Sequence, residues 1–151
     1  MKPIRSILAA VDFSENSDQA LAAAADLAKQ SAAELHVVHA LDLPIPIFNP
    51  YAVSIPDALV TQAREEASRR LRETVERLAR EGLTAKSHLT EVPAAPAIAR
   101  LAEELGADLV VMGTHGHTGL KHVLLGSVAE RTLRLAPCSV LIVKQKGKVP
   151  A

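Results

Sequence analysis

The stretch from Asp108 to Ser127 reads DLVVMGTHGHTGLKHVLLGS, and it decides the predicted fold and chemistry. Its apolar start, Leu109 to Met112, is short and rich in β-branched residues, as in a buried strand. Glycines follow at positions 113, 116 and 126, and the residues after Ser127 have helical spacing. Such a junction can hold an anion, because missing Cβ atoms let a ligand approach the backbone and the first helical amides are unpaired. The stretch therefore predicts a phosphate-binding loop between a strand and a helix.

Composition excludes several classes of function. The chain has 151 residues, 48% of them hydrophobic, which predicts one domain over residues 1–151. Its 17 basic and 17 acidic residues are interspersed, which argues against nucleic acid or an anionic membrane as a partner. Neither a transmembrane run nor a signal-peptide core is recognisable. Because the one cysteine, Cys138, cannot form an intrachain disulfide, a cytoplasmic location is predicted.

Hydrophobic periodicity predicts strands that alternate with helices. The predicted strands are Arg5 to Val11, Glu34 to Leu41, Leu83 to Thr90, Leu109 to Met112 and Cys138 to Lys144. The predicted helices are Ser17 to Ser31, Asp57 to Glu81, Ala94 to Leu105 and Ser127 to Leu135. Prolines make Asp42 to Pro56 a long loop. The alternation predicts an α/β fold, with a parallel sheet covered by helices on both faces.

Several local details are predicted as well. Ser14 can cap the first helix. On the outer face of the second helix each glutamate stands four residues before an arginine, which predicts that Glu65 pairs with Arg69, Glu66 with Arg70, Glu73 with Arg77 and Glu76 with Arg80. The third strand has a polar, alternating face, as expected at a sheet edge, and Cys138 is predicted to be an unreactive core residue.

The carboxyl ends of the strands are where such a sheet binds ligands, at the point where the strand order reverses. Asp12 follows the first predicted strand, and Gly113 follows the fourth. If these two strands are neighbours, Asp12 and the glycine loop face one site. Periodicity alone does not decide whether they are.

The glycine loop carries a specific resemblance. Its pattern Gly113-x2-Gly116-x9-Gly126-Ser127 resembles the nucleotide-binding signature of the universal stress protein family, in the ATP-binding subgroup. Outside the loop, the segments similar to the family's first, second and last strands are Ile7 to Ser14, Leu35 to Ala40 and Pro137 to Val143. Nearly the whole chain is covered. The resemblance implies a single doubly wound domain with a five-stranded parallel sheet in the order 3-2-1-4-5.

The same resemblance implies an adenine nucleotide (ATP, ADP or AMP) with Mg²⁺ as the ligand. The backbone at Ala40 would meet the adenine edge, and Ala10 and Val11 would line the adenine side. Asp12 would lie by the ribose and by the Mg²⁺ ion, in direct or indirect contact with the metal. The residues that would surround the phosphates are Gly113, Thr114, His115, Gly116 and His117, with amides and a hydroxyl from Gly126, Ser127 and Val128.

Some of these residues also have simpler interpretations. Ser127 and Glu130 fit a capping box, so the serine could serve only as a helix cap. Asp12 could serve only to brace a turn. A transition-metal site at His115, His117 and His122 is disfavoured, because no cysteine or carboxylate cluster accompanies them.

The preferred hypothesis is an ATP-binding universal stress protein that acts in the stress response, with the nucleotide as a regulatory ligand and hydrolysis slow at most. The sequence has no G-x-x-x-x-G-K-[ST] loop and no recognisable base or arginine for fast phosphoryl transfer. Two alternatives stay open: an ATPase or adenylate-transferring enzyme with an unknown acceptor, and a nucleotide-independent interaction protein. The resemblance also implies a homodimer through the last strand, Val140 to Val143, at an open sheet edge.

Overall fold

Strands and helices alternate along the chain in the computed structural model, which describes residues 2–43, 55–114 and 125–145. The strands are β1 (Ser6–Ala10), β2 (Glu34–Ala40), β3 (Ala85–Thr90), β4 (Leu109–Gly113) and β5 (Ser139–Val143). The helices are α1 (Glu15–Ser31), α2 (Asp57–Arg80), α3 (Ala94–Leu105) and α4 (Ser127–Leu135). Every predicted strand and helix is present. The largest differences are at α1, which begins at Glu15 rather than Ser17, and at β3, which begins at Ala85 rather than Leu83.

The five strands form one parallel sheet in the order β3-β2-β1-β4-β5. This confirms the order 3-2-1-4-5 that the family resemblance implied. The central strand β1 pairs on one side with β2 and on the other with β4, where Ile7 lies opposite Leu109. The direction of strand progression reverses between β1 and β4. The carboxyl ends of these two strands are therefore neighbours, and the region beside them, here called the crevice, is where open α/β sheets bind ligands.

Helices cover both faces of the sheet. Helices α1 and α2 pack on one face, while α3 lies on the other with α4 beside it. Successive residues of β1 point to opposite faces, so that Ile7 joins the core under α1 and α2, while Leu8 joins the core under α3. Both side chains are fully buried, and such burial is worth about 1.5–3 kcal/mol per side chain. Coverage on both sides explains why β1 is a continuous apolar run rather than an alternating one.

The two edges of the sheet differ in polarity. Edge strand β3 exposes Lys86 and Ser87, as predicted for a polar edge. Edge strand β5 is apolar, and Leu141 has 37% of its surface exposed. Helix α4, which packs on β5, exposes Leu133 and Leu135. An apolar surface therefore extends along this side of the molecule.

The ion pairs on α2 only partly match the predicted ones. Predicted pairs place each glutamate four residues before an arginine, and of these Glu66 with Arg70 forms, at 3.1 Å. The prediction that Glu65 holds Arg69 was wrong, because the Arg69 guanidinium instead contacts Glu66 at 2.6 Å and Glu73 at 2.5 Å. Both carboxylates lie within one helical turn of Arg69, so the guanidinium can bind two partners at once.

None of the helices in the described ranges combines the length and apolarity needed to cross a bilayer.

Candidate functional site

The turn after β1 is braced by Asp12. One carboxylate oxygen of Asp12 accepts hydrogen bonds from the amide of Ser14 at 3.0 Å and from the Ser14 hydroxyl at 2.5 Å. The amide of Asp12 donates to the Ser17 hydroxyl at 3.0 Å. Ser14 is also the N-cap of α1, as predicted, and accepts from the Ser17 amide. Asp12 thus fulfils the simpler interpretation of bracing a turn, and its partly exposed side chain stands at the carboxyl end of β1.

The backbone of this turn is strained at Phe13. Its φ angle is 64°, in the left-handed region that bulky residues rarely adopt. Such a conformation costs roughly 1–3 kcal/mol and persists only where the surroundings enforce it. The ring of Phe13 contacts His39, with centroids 4.6 Å apart, and the Arg70 guanidinium lies 5.4 Å from the ring centroid. These contacts join β2 and α2 to the turn that carries Asp12.

The main chain at the end of β2 is oriented toward the crevice. The Val11 amide donates to the Val38 carbonyl at 2.9 Å, whereas the Leu41 amide donates to Thr90 on the opposite side at 2.7 Å. Because successive residues of a strand direct their main-chain groups to alternate sides, the amide and carbonyl of Ala40 face the β1 side, past the end of β1. Ala40 can therefore offer a donor and an acceptor to the edge of a flat ring.

Ala10 and Val11, the two residues predicted to line the adenine side, point to opposite faces of the sheet. The side chain of Val11 is buried in the core under α1 and α2, and its carbonyl lies 2.8 Å from Nδ1 of His39. Ala10 is only partly buried and packs against the core on the other face.

Gly113 is explained by a neighbour that the sequence analysis did not identify. A Cβ atom at Gly113 would lie 2.4 Å from Oδ1 and 2.8 Å from Cγ of Asn16. Asn16 is only 4% exposed. Its Nδ2 atom donates to the carbonyl of Val143 at 3.1 Å, and its Oδ1 atom accepts from the Thr114 hydroxyl at 3.3 Å. Asn16 is the second residue after the N-cap Ser14, and no local signal in the sequence identified it, because its partners lie far along the chain.

The amino end of α4 lacks the predicted capping box. Ser127 is the first helical residue, and the N-cap is Gly126, which has extended φ and ψ angles of −67° and 159° and provides no side-chain cap. The simpler interpretation of Ser127 as the helix cap is therefore wrong, because a capping box needs its serine one position earlier, at the N-cap. Glu130 instead pairs with Arg134 at 2.6 Å. Exposed Ser127 and Val128 thus begin a helix whose first amides have no side-chain cap, which suits an anion.

One hydrogen bond connects this helix end to β4. The amide of Gly126 donates to the carbonyl of Thr114 at 2.6 Å. Through this bond and the β1–β4 pairing, the fold brings Asp12, Gly113 and Thr114 to the same end of the sheet as the start of α4. Ala40 lies at that end, on β2. Of the other predicted residues, His115, Gly116 and His117 lie outside the described residues, as does His122.

The described residues contain no cluster of three or more histidine, cysteine or acidic side chains that could hold a metal ion. The thiol of Cys138 is partly buried, and burial raises its pKa, which keeps it protonated. This agrees with the prediction of an unreactive residue.

A histidine pair lies on β2 and β3. Nδ1 of buried His36 is 3.0 Å from Nε2 of partly buried His88. Burial is the main cause that lowers the pKa of both imidazoles. Glu34 opposes this effect at His36, since its carboxylate lies 3.5 Å from Nε2, although the same carboxylate also binds Lys86 at 2.6 Å.

Comparison with known proteins identifies related sequences and folds. The profile of the universal stress protein family matches residues 3–144. Universal stress protein MJ0531 of Methanocaldococcus jannaschii is 34% identical over 149 residues, which cover 95% of this chain and 84% of that protein. The solved structure of MJ0577 from the same organism has a TM-score of 0.83 at 29% identity, covering 97% of this chain and 100% of that chain. A universal stress protein solved in complex with cAMP has a TM-score of 0.70 at 26% identity, covering 94% and 98% respectively.

Proposed function

Because the chain belongs to the universal stress protein family, we propose that it binds an adenine nucleotide with Mg²⁺ as a regulatory ligand in the stress response. The observation that carries this proposal is the uncapped start of α4, tied by Gly126 to Thr114 at the end of β4. Asp12 stands at the end of the neighbouring strand β1. The similarity to a universal stress protein that was solved with cAMP supports an adenine nucleotide as the ligand.

The phosphates bind at the amino end of α4. The amides of Ser127 and Val128, together with the Ser127 hydroxyl, serve the anion, and the helix dipole favours negative charge. The amide of Gly126 was also expected to bind phosphate, but it donates to the Thr114 carbonyl instead. Gly113 and Thr114 hold the start of the phosphate loop in place, because the Thr114 hydroxyl donates to Asn16, its amide donates to Val143 and its carbonyl accepts from Gly126. His115, Gly116 and His117, assigned from the family resemblance, complete the phosphate loop.

The adenine ring binds at the end of β2. Its Watson–Crick edge presents an amino donor and a ring nitrogen acceptor, which complement the carbonyl and the amide of Ala40. Both main-chain groups face that position. Ala10 and Val11 line the adenine side, although Val11 does so only through its main chain because its side chain is in the core.

Asp12 fits a Mg²⁺ ion that the nucleotide brings with it. Mg²⁺ is usually held by one or two carboxylates plus phosphate oxygens and water, so a single aspartate is sufficient. The hydrogen bonds from Ser14 fix the orientation of this carboxylate at the end of β1. When bound, the ion neutralises phosphate charge.

A matched pair of variants at Gly126 tests the phosphate site. Asparagine and aspartate both cap helices well, so Gly126→Asn and Gly126→Asp should each stabilise the nucleotide-free protein by roughly a few tenths of a kcal/mol. Both caps occupy an amide that the phosphate needs, but only aspartate also repels the phosphate. ATP should therefore bind more weakly to Gly126→Asn than to wild type, and at least about tenfold more weakly again to Gly126→Asp, since one like-charge contact is worth about 1.4 kcal/mol or more.

Calorimetric titration with ATP and Mg²⁺ measures these affinities, and the ligand released from purified wild-type protein on denaturation identifies the resident nucleotide. Equal affinity of both variants and wild type would contradict the proposed phosphate site. Absence of any nucleotide affinity in the wild type would favour an interaction protein that functions without nucleotide. Gly113→Ala is unsuitable as the binding control, because the added Cβ would collide with Asn16.

Hydrolysis, if it occurs, is slow. Fast phosphoryl transfer needs a residue that positions water and a cation on the γ-phosphate, and the sequence offers no recognisable pair. A turnover in the ordinary enzyme range, about 1–10³ per second, would instead favour the ATPase or adenylate-transferring enzyme.

We further propose that the protein is a cytoplasmic homodimer. The apolar edge strand β5 would be prone to aggregation if it were left open, and pairing Val140 to Val143 with the same segment of a second copy covers it. Exposed Leu141 on β5 and exposed Leu133 and Leu135 on α4 support this assignment.

A further inference from the structure

Asn16 connects three parts of the fold. It lies in the first turn of α1, and its side chain reaches the carboxyl ends of β4 and β5. The amide group donates to Val143 at 3.1 Å and accepts from Thr114 at 3.3 Å, while its oxygen lies against Gly113 too closely for any Cβ to fit. A side chain so buried, with a donor and an acceptor both in use, occupies a defined orientation.

The carbonyl of Val143 is shared between Asn16 and the start of the loop. Besides the Asn16 amide group, it accepts the main-chain amide of Thr114 at 3.3 Å. The carbonyl of Thr114 in turn accepts the amide of Gly126, the N-cap of α4. A continuous series of hydrogen bonds thus runs from α1 through the end of β5 and the first loop residue to the start of α4.

The same turn of α1 holds Asp12. Ser14 and Ser17, on either side of Asn16, bind the side chain and the amide of Asp12. One helical turn therefore contacts both parts of the crevice, the aspartate after β1 and the loop after β4.

We infer that Asn16 is a positioning residue for the nucleotide site, which fixes where the phosphate loop leaves β4 relative to Asp12 and the start of α4. This inference rests on the proposed function. Asn16 itself touches no phosphate in this role. It acts by holding Thr114 and Val143, so that the amides of α4 and the carboxylate of Asp12 keep fixed positions and can bind the same nucleotide.

The test compares affinity with stability. Asn16→Ala should bind ATP with Mg²⁺ at least about tenfold more weakly than wild type, a loss of about 1.4 kcal/mol, because the amides of α4 and the Asp12 carboxylate then no longer hold fixed positions relative to each other. Leu78→Ala is the matched control, because Leu78 is also buried, with 2% of its surface exposed, but lies far from the proposed site. Its carbonyl accepts the Leu83 amide just before β3, at the opposite end of the sheet. It should lower the thermal unfolding temperature, yet bind ATP as wild type does when titrated at a temperature where every variant is folded. Asn16→Ser gives the same comparison if Asn16→Ala does not fold.

A second test measures thermal unfolding and needs no nucleotide. Gly113→Ala should lower the unfolding temperature in wild type but much less in the Asn16→Ala background, because the added Cβ then no longer meets the amide group. Two results would overturn the inference. One is that Gly113→Ala lowers the unfolding temperature equally in the two backgrounds. The other is that Asn16→Ala and Asn16→Ser both bind ATP within about twofold of wild type, well short of the expected tenfold change. If the wild type binds no nucleotide, the proposed function is wrong. The Gly113 comparison still shows whether Asn16 holds the start of the loop after β4.

Discussion

At the scale of single residues, two helix ends share one backbone conformation but carry different residues. The C-cap of α1 is Ala32, with φ and ψ of 52° and 39°, and the C-cap of α3 is Gly106, with 59° and 38°. For a residue with a Cβ atom the left-handed region costs roughly 1–2 kcal/mol, and glycine avoids this cost. Ala32 is therefore the less favourable of the two C-caps.

Exchanging these residues should move stability in opposite directions. Ala32→Gly should raise the free energy of unfolding by about 1 kcal/mol, and Gly106→Ala should lower it by a similar amount. A Cβ at Gly106 would meet no atom within 4 Å, so this variant isolates the backbone effect. Urea denaturation of the two variants and wild type measures both changes. A loss of stability in Ala32→Gly would contradict the argument.

The position of Asp12 at the end of β1 could be predicted from the sequence, whereas the contacts of Asn16 could not, and the reason is distance along the chain. Asp12 is recognisable because it directly follows an apolar run. Asn16 acts through partners 98 and 127 residues away, and nothing in its local sequence indicates them. The loop position of Gly113 could be predicted, whereas its close contact with Asn16 required the packed structure.

At the scale of elements, the edge pair β2 and β3 contains a hydrogen bond that depends on protonation. Between two neutral imidazoles, His36 and His88 can share one proton as donor and acceptor. When both rings are protonated, neither nitrogen can accept, and two positive charges face each other beside Lys86.

Stability should therefore fall in mild acid. Both pKa values are lowered in the folded protein, so below the ordinary histidine pKa of about 6.5 the unfolded chain binds more protons than the folded one. The free energy of unfolding should decrease as the pH falls from about 7.5 to 5.5. Urea denaturation across this range measures the decrease, and His88→Gln should show a shallower one. An identical pH dependence in wild type and His88→Gln would exclude this pair as its source.

Element types were predictable and element details were not. The alternation of apolar runs such as Ile7 to Val11 with amphipathic helices indicated every strand and helix, because both faces of the sheet are buried. Strand order required the family resemblance, since periodicity does not say which strands pair. The S-x-x-E spacing at Ser127 suggested a capping box, but Ser127 lies one position inside the helix and Gly126 is the N-cap.

At the scale of the whole molecule, the apolar side formed by β5 and α4 leads to the prediction of a homodimer. Sedimentation equilibrium at micromolar concentration should give twice the chain mass of 16.0 kDa. Leu141→Lys places a charge on the apolar edge and should shift the protein to monomer. Val92→Lys is the matched control, because Val92 is 54% exposed after β3 at the other edge of the sheet. A monomer mass for wild type would contradict the proposed assembly.

The position of β1 in the centre of the sheet has a consequence for synthesis on the ribosome. Although β1 emerges first, its partner β4 is translated much later, since Ile7 pairs with Leu109. Until then β1 in a nascent chain can pair only with β2. The side of β1 that β4 later occupies remains exposed and can pair with strands of other chains. The crevice between β1 and β4 thus does not exist in a growing chain. A ligand that needs both strand ends would distinguish finished molecules from stalled ones, and its binding would stabilise only the former.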